Sequence, residues 1–356
     1  MIRQILIEEN IGETRAAIAE NGRLVELHLD RWSELRQRAV EGELYRGRVR
    51  RVEPALNAAF VDLGLGEEGF MPFGKAGRPK GLHEGAAIGV RVSREAFADK
   101  GPTLNLVEIA AGDAPECLEP APILAQRLAQ IFSGADVVWA DETDFDLEEA
   151  FELAMDPVAP IPGGGSLCIE QTRAMVTVDV DAEGRKGTGS PLQLAQALNL
   201  SAAKEAARQI RLRGLGGIAA IDFVHMRGQP ERKAVEQALR QAFRNDRAKV
   251  DVAPLSQFCV GELARQRRGR TLSEIQLDES GRPSIETCAL AAIRRLEGEA
   301  RAQRSRKLVL QASSEVHAWL EADSIGWNAA LAERIGARFT LALNPEFGRE
   351  DCGVKS

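Results

Sequence analysis

The chain has 356 residues, 44% of them hydrophobic and 28% charged, with a formal net charge of −7. This is the composition of a soluble globular protein long enough for two to four modules. The charge speaks against a surface coated throughout for nucleic acid but leaves room for a local basic face. No apolar run approaches the ~20 residues of a membrane span, and the charged opening MIRQILIEENIGETR is unlike a signal peptide. Five scattered cysteines with no CxxC pair suggest neither a disulfide framework nor a thiolate zinc site. A reducing cytoplasm is the expected location.

The first apolar runs, at 5–7, 14–18 and 24–29, predict strands, with a hairpin turn at Asn21-Gly22. The segment LYRGRVRRVEPALNAAFVDLGLGEEGFMPF (44–73) alternates apolar and polar residues and breaks at Glu53-Pro54 and again at 64–69. With further strand-like runs at 90–92 and 104–109, it predicts a small β-barrel over 40–110. Helical spacing over 122–132, a strand at 137–139 and an acidic helix at 144–155 precede the turn Pro162-Gly163-Gly164-Gly165.

The second half reads as an α/β unit. Strands are expected at 167–169 and 175–180. Ser190-Pro191 is an N-cap followed by proline at the first helical position, opening a long helix that stops at Gly214. The nearly continuous apolar run 217–224 predicts a strand buried on both faces, and 230–244 predicts a second helix. Strand, helix, strand, helix implies helices packed on a sheet. A small α+β end domain is expected over 284–345.

Four features carry chemistry. Asp222 ends the apolar run Ile218-Ala219-Ala220-Ile221, where an unpaired carboxylate is costly. A divalent cation with a preference for oxygen ligands would stabilise it, and so would a helix cap or an arginine partner. Asp179 and Asp181 in Thr177-Val178-Asp179-Val180-Asp181 lie two apart on a strand, so both point to one face. They repel unless a cation or basic group lies between them, or they are simply a solvated strand end entering the loop 181–189. A βαβ unit can bring the two acidic strand ends together. From 203 to 270 there are fifteen Lys and Arg against seven Asp and Glu, a polarity that suits a polyanion held over the acidic strand ends or a set of solvated helix faces. Lastly, Phe60 and Phe70 of the barrel lie among Arg46, Arg48, Arg50, Arg51 and Lys100, in the manner of OB barrels that stack single-stranded bases, unless both rings are core.

The 44–73 segment resembles the RNA-binding OB barrel of the ribonuclease E/G family. IEQTRAMVTVDVD, NLSAAKEAARQIRLRGLGGIAAIDFVHM, RKAVEQALRQAFRNDRAKV and FCVGELARQRRGRTL resemble its catalytic region in the same order. The fold this implies is α+β and multidomain: N-terminal strands packing with the core (1–39), an OB-fold barrel (40–110), a shortened RNase H-like connection (111–165), a catalytic α/β nuclease domain (166–275) and a small α+β C-terminal domain (276–356). The barrel would be inserted near the N-terminus of the nuclease core.

The resemblance implies roles. Asp179 and Asp222 match carboxylates that hold catalytic magnesium, with manganese as a substitute. Asp181 stands where the family commonly has Asn. Lys249 matches a basic residue near the scissile phosphate. Phe60, Phe70 and Lys100 match residues that grip single-stranded RNA, and Arg265 and Arg267 are read as further RNA contacts. The implied activity is endonucleolytic cleavage of single-stranded RNA; the alternatives are an RNA-binding protein without turnover and a metal-dependent phosphatase or DNA nuclease.

The chain departs from the family pattern in three ways. The stretch between barrel and catalytic region is much shorter than is usual in the family, and the Arg-Thr signature of the 5′-monophosphate pocket that this stretch carries is not found in it, so cleavage is expected to ignore the 5′ end. The cysteine pair of the shared zinc link is absent, so no structural zinc is expected and any oligomer would form without it. His225 stands where an acid is frequent, and it is read as structural, since magnesium disfavours imidazole.

Overall fold

The computed structural model describes residues 2–35, 37–97, 100–109, 112, 115–184 and 190–356. Three strands open it: β1 (Arg3–Asn10), β2 (Glu13–Glu20) and β3 (Arg23–Arg31), an antiparallel meander whose β2–β3 turn is Asn21-Gly22, both at positive φ. Five strands then close a barrel: β4 (Leu44–Glu53), β5 (Ala58–Asp62), β6 (Glu68–Pro72), β7 (Ala87–Arg94) and β8 (Thr103–Ile109). Their order β5-β6-β8-β7-β4, with β4 pairing back onto β5, is a closed ring of OB type. The interior is narrow. A Cβ on Gly47 would lie 2.4 Å from the Val61 side chain, and one on Gly69 equally close to Leu104. Bulk from Val61, Met71, Ile88, Val90 and Leu104 fills the remainder. A short strand, β9 (Glu116–Glu119), pairs with β4, Leu44 opposite Glu119.

After the barrel come α1 (Leu124–Ile131), β10 (Asp136–Trp139) and α2 (Leu147–Met155). β10 runs parallel to β1 at the edge of the first sheet, giving the order β10-β1-β2-β3. Residues 3–31 and 124–155 therefore form one layered unit with helices on both faces, Phe132 and Leu128 on one side and Phe151 and Leu147 on the other. The barrel interrupts this unit, not the α/β unit that follows it.

A six-stranded sheet is made of β11 (Val158–Pro160), β12 (Ser166–Gln171), β13 (Val176–Asp181), β14 (Gly217–Asp222), β15 (Val250–Val252) and β16 (Val260–Arg265), in the order β11-β12-β13-β14-β16-β15. Two helices cover one face: α3 (Pro191–Leu212) and α4 (Gln229–Ala242). Ser190 and Gln193 form a reciprocal capping box that starts α3, with Pro191 in the first turn, and the chain leaves the helix at Gly214 with φ +68°. Ala202, Ala206 and Ile210 of α3, with Val235 and Leu239 of α4, pack on Val178, Val180, Ala219 and Ile221.

Both helices lie on the same side, so the other face stays open. The expectation of a β14 buried on both faces is corrected here: Ile218 is 55% exposed. A run such as Gly-Ile-Ala-Ala-Ile satisfies a one-sided strand as well, because its alternate members, Ala219 and Ile221, are the ones buried.

The chain ends in a small α+β unit: α5 (Leu272–Gln276), α6 (Ile285–Ala302), β17 (Leu308–Ala312), α7 (Ser314–Ala322), α8 (Trp327–Ile335), β18 (Phe339–Leu343) and β19 (Cys352–Lys355). It docks on the first sheet through a buried charge cluster in which Arg294 pairs with Glu13 and Glu148, and Arg15 with the same two carboxylates. No helix among the described residues is long and apolar enough to cross a membrane.

Candidate active site

β13 and β14 run parallel, and their register places Asp179 directly beside Asp222. Adjacent strands lie ~4.8 Å apart and register partners point to the same face, so the two carboxylates project side by side. Val176, Val178 and Val180 turn to the helices, which sends Thr177, Asp179 and Asp181 to the open face. On β14 the same alternation exposes Asp222 and buries Ile221. Neither Asp179 nor Asp222 has a basic or hydrogen-bonding partner among the described residues. The row across the sheet is Cys168, Asp179, Asp222, Val260.

The tip of β14 is rigidly held. Asn199, fully buried on α3, accepts a hydrogen bond from the Val224 N–H at 3.1 Å and donates to the Val224 carbonyl at 2.7 Å. Phe223 N–H donates to the Cys259 carbonyl, and Met226 N–H to the Cys259 Sγ. Cys259 itself is buried at φ +68°, an uncommon conformation for a residue with a Cβ. It turns the chain so that its neighbour Phe258 is 74% exposed, one turn from the register partner of Asp222. Sequence reasoning missed both Asn199 and Phe258. The available signals were a polar residue on the apolar stripe of α3 and an aromatic inside the turn segment Pro254–Cys259.

Asp181 lies on the same face as Asp179, two residues further on, opposite Ser166. Its Oδ1 accepts the Glu183 N–H at 2.8 Å, which shapes the start of the following loop. Residues 185–189 of that loop lie outside the described residues. His225, three residues past Asp222, is exposed and has no protein partner among the described residues.

Three expected contacts are placed elsewhere. Lys249 precedes β15, and its carbonyl accepts from Gln266 at the Arg265 end of β16. Arg265 is the register partner of Gly217, at the opposite end of β14 from Asp222. Six residues of rise and two strands of spacing put Lys249 roughly 22 Å from Asp222. It is 77% exposed and pairs with Asp251 at 3.2 Å.

Arg265 is buried. Its Nε and Nη2 hold both oxygens of Asp246 at 2.7 and 3.0 Å, and its Nη1 donates to the Leu215 carbonyl at 2.6 Å. Arg267 pairs with Glu274 and stacks over the Phe97 ring at 4.8 Å, joining the barrel to the end of the six-stranded sheet. The sequence spacing drew these cations toward a polyanion groove; folding commits them to internal partners. The open face itself is acidic, with Glu170 and Glu262 in the row next to the aspartates. The basic residues beside Asp222 in the chain are His225 and Arg227, both exposed.

The donor set suits a hard divalent cation. Two carboxylates side by side without a counter-charge repel one another, and a cation between them removes that cost. Magnesium is commonly held by one or two carboxylates while keeping several waters. Among the described residues no group of three or more His, Cys, Asp or Glu side chains gathers to form a fuller cage.

On the barrel, Phe60 and Phe70 are register partners on the outer face, half-buried, with ring centroids 5.7 Å apart in a T-shaped arrangement. Arg51 lies over Phe60 at 4.0 Å. Lys100 is exposed on the segment that pairs with β6, where Phe70 N–H donates to the Pro102 carbonyl. The structure thus brings Phe60, Phe70 and Lys100 into one region.

Residues 128–268 match the model of the ribonuclease E/G family. The chain is 24% identical to ribonuclease E of Escherichia coli K12 over 401 aligned positions, covering 77% of this chain and 38% of that protein. It is 23% identical to ribonuclease G of the same strain over 489 positions, 99% of each chain. That alignment is longer than the 356 residues present here, so a large part of the relative has no counterpart in this chain. Over 131 residues the identity to ribonuclease E of Buchnera aphidicola (strain APS) rises to 34%, covering 36% of this chain and 14% of that protein. The chain spans well under half the length of the ribonuclease E proteins it matches.

Proposed function

Since the chain belongs to the ribonuclease E/G family, we propose that it is a magnesium-dependent endoribonuclease acting on single-stranded RNA in the cytoplasm. The observation that carries this reading is the side-by-side placement of Asp179 and Asp222, unpaired on the open face of the sheet.

Asp179 and Asp222 would hold the magnesium ion, which when bound polarises a phosphate oxygen and eases ionisation of water. Their fixed spacing, set by two paired strands and the Asn199 clamp, keeps the donor oxygens in place without reorganisation. Asp181 would orient the attacking side by ordering the loop it caps. Phe60 and Phe70 would stack bases and Lys100 would meet the backbone, so that the strand is positioned before reaction. Lys249, far from the carboxylates and paired to Asp251, has no place in this constellation; Arg227 is the better-placed cation.

The test is labelled single-stranded RNA with and without magnesium, for the parent and for Asp222→Asn. Cleavage should require magnesium and fall by about 10³-fold or more in the variant with the fold intact. Equal cleavage by both would overturn the proposal. With no Arg-Thr signature between the barrel and the six-stranded sheet, 5′-monophosphate and 5′-hydroxyl substrates should be cut at rates within about threefold of each other, a difference of under 1 kcal/mol. A large preference for the monophosphate would defeat that part. A second reading, an RNA-binding protein without turnover, draws on the lack of a third metal-ligating side chain beside the pair among the described residues; RNA binding with no magnesium-dependent products would select it.

A further inference from the structure

At the end of the nuclease sheet remote from Asp222, a cavity of about 350 Å³ opens between the outer edge of β3, α1, the end of α3 and the segment 265–272. Eight arginines line it against four carboxylates. Seven of these arginines have carboxylate partners, some shared: Glu26 serves both Arg211 and Arg247, and Glu34 serves both Arg38 and Arg270.

The eighth, Arg213, is different. It is only 7% exposed. Its Nε donates to Gln209 Oε1 at 2.9 Å, and its Nη2 is buried with no hydrogen-bond partner. No carboxylate among the described residues pairs with it. The Nε atoms of Arg211 and Arg270, on the same cavity, also lack partners.

An unpaired buried guanidinium is costly. Burial lowers the pKa of Arg213 to about 10, against the smaller raising effect of Asp156, which leaves it charged at neutral pH. Its planar fork matches the oxygens of a phosphate, and the cavity has room for one with a substituent attached. We propose that this cavity binds a phosphate group through Arg213, at a site separate from the Asp179–Asp222 pair by roughly 17 Å of sheet. The phosphate could be free, carried by a mononucleotide, or terminal on an RNA strand; all three present the same oxygens. The proposal does not depend on the nuclease reading.

The test is thermal unfolding of the full chain in inorganic phosphate and in chloride of equal ionic strength, for the parent and Arg213→Met. Phosphate at millimolar concentration should raise the parent Tm by about 3–6 °C over chloride. The variant should show no such rise. In chloride it should melt at or above the parent temperature, because a charge without a partner has been removed. Adding a 5′-mononucleotide, then matched RNA oligomers with 5′-phosphate or 5′-hydroxyl ends, identifies the source: the form whose binding is lost with Arg213 is the ligand. A parent shift no larger in phosphate than in chloride, or an equal shift in the variant, overturns the proposal. So does a variant that melts well below the parent in chloride, since Arg213 is then an internal strut. Arg213→Gln is read the same way should the Met variant not fold, and failure of both to fold counts as the strut outcome.

Discussion

The two ends of the six-stranded sheet treat charge in opposite ways. At the Asp222 end, two anions stand exposed and unpaired on adjacent strands. At the other end, every arginine of the cavity but Arg213 is tied to a carboxylate, among them Arg265 to Asp246, Arg247 and Arg211 to Glu26, and Arg270 to Glu34. A cation neutralised inside the fold has little left to offer a polyanion, whereas an anion left bare awaits a counter-ion. Net charge along a sequence window therefore says less about ligands than which charges remain without partners.

The largest expected effect that tests this contrast is at Arg265. Replacing it with Ala leaves Asp246 buried without its partner and should cost about 3–5 kcal/mol of stability in urea unfolding, while the surviving folded protein keeps its RNA affinity. Weakened RNA binding with unchanged stability would break the contrast, since the arginine would then face substrate.

Glu26 sharpens it next. Burial alone would raise its pKa, but the His28 hydrogen bond and the charges of Arg247, His28 and Arg211 outweigh burial and hold the carboxyl far below its ordinary 4.5. A carboxyl depressed in the folded state contributes stability that is complete above pH 4.5 and is lost as pH falls below it. Glu26→Gln should cost about 2–4 kcal/mol at neutral pH and flatten the acid limb of a stability-against-pH curve. An acid limb as steep in the variant as in the parent would remove Glu26 as its cause.

The smallest effect belongs to Lys249. On an exposed pair with Asp251, its change to Ala should alter kcat/KM by less than about twofold and leave Tm unmoved. A hundredfold loss would mean that RNA reaches from one end of the sheet to the other.

What was legible in the sequence was periodic or local. The Val-Asp alternation of 176–181 set the face of Asp179, the Ser190-Pro191 start located α3, and the strand-helix-strand order made β13 and β14 neighbours. The barrel followed from its alternation and its glycine breaks. Partnership was illegible, because it joins residues far apart in the chain: Glu26 lies 221 positions from Arg247, and β10 joins β1 across the whole barrel. The open face of the sheet was misread because a short apolar run looks the same whether one or both of its faces are covered. The internal partners of Arg265 and Arg267, Asp246 and Glu274, were hidden for the first of these reasons.

The pairing of Leu44 with Glu119 bears on how the chain assembles during translation. β1 cannot gain its parallel neighbour β10 until residue 139 has been made, roughly 6–25 s after β1 itself leaves the ribosome. Left as open coil, the intervening stretch would impose a loop-closure cost on that union. A barrel already folded brings its own two ends together at β4 and β9, turning a long tether into a short one. The inserted domain thereby shortens the search that completes the sheet it interrupts.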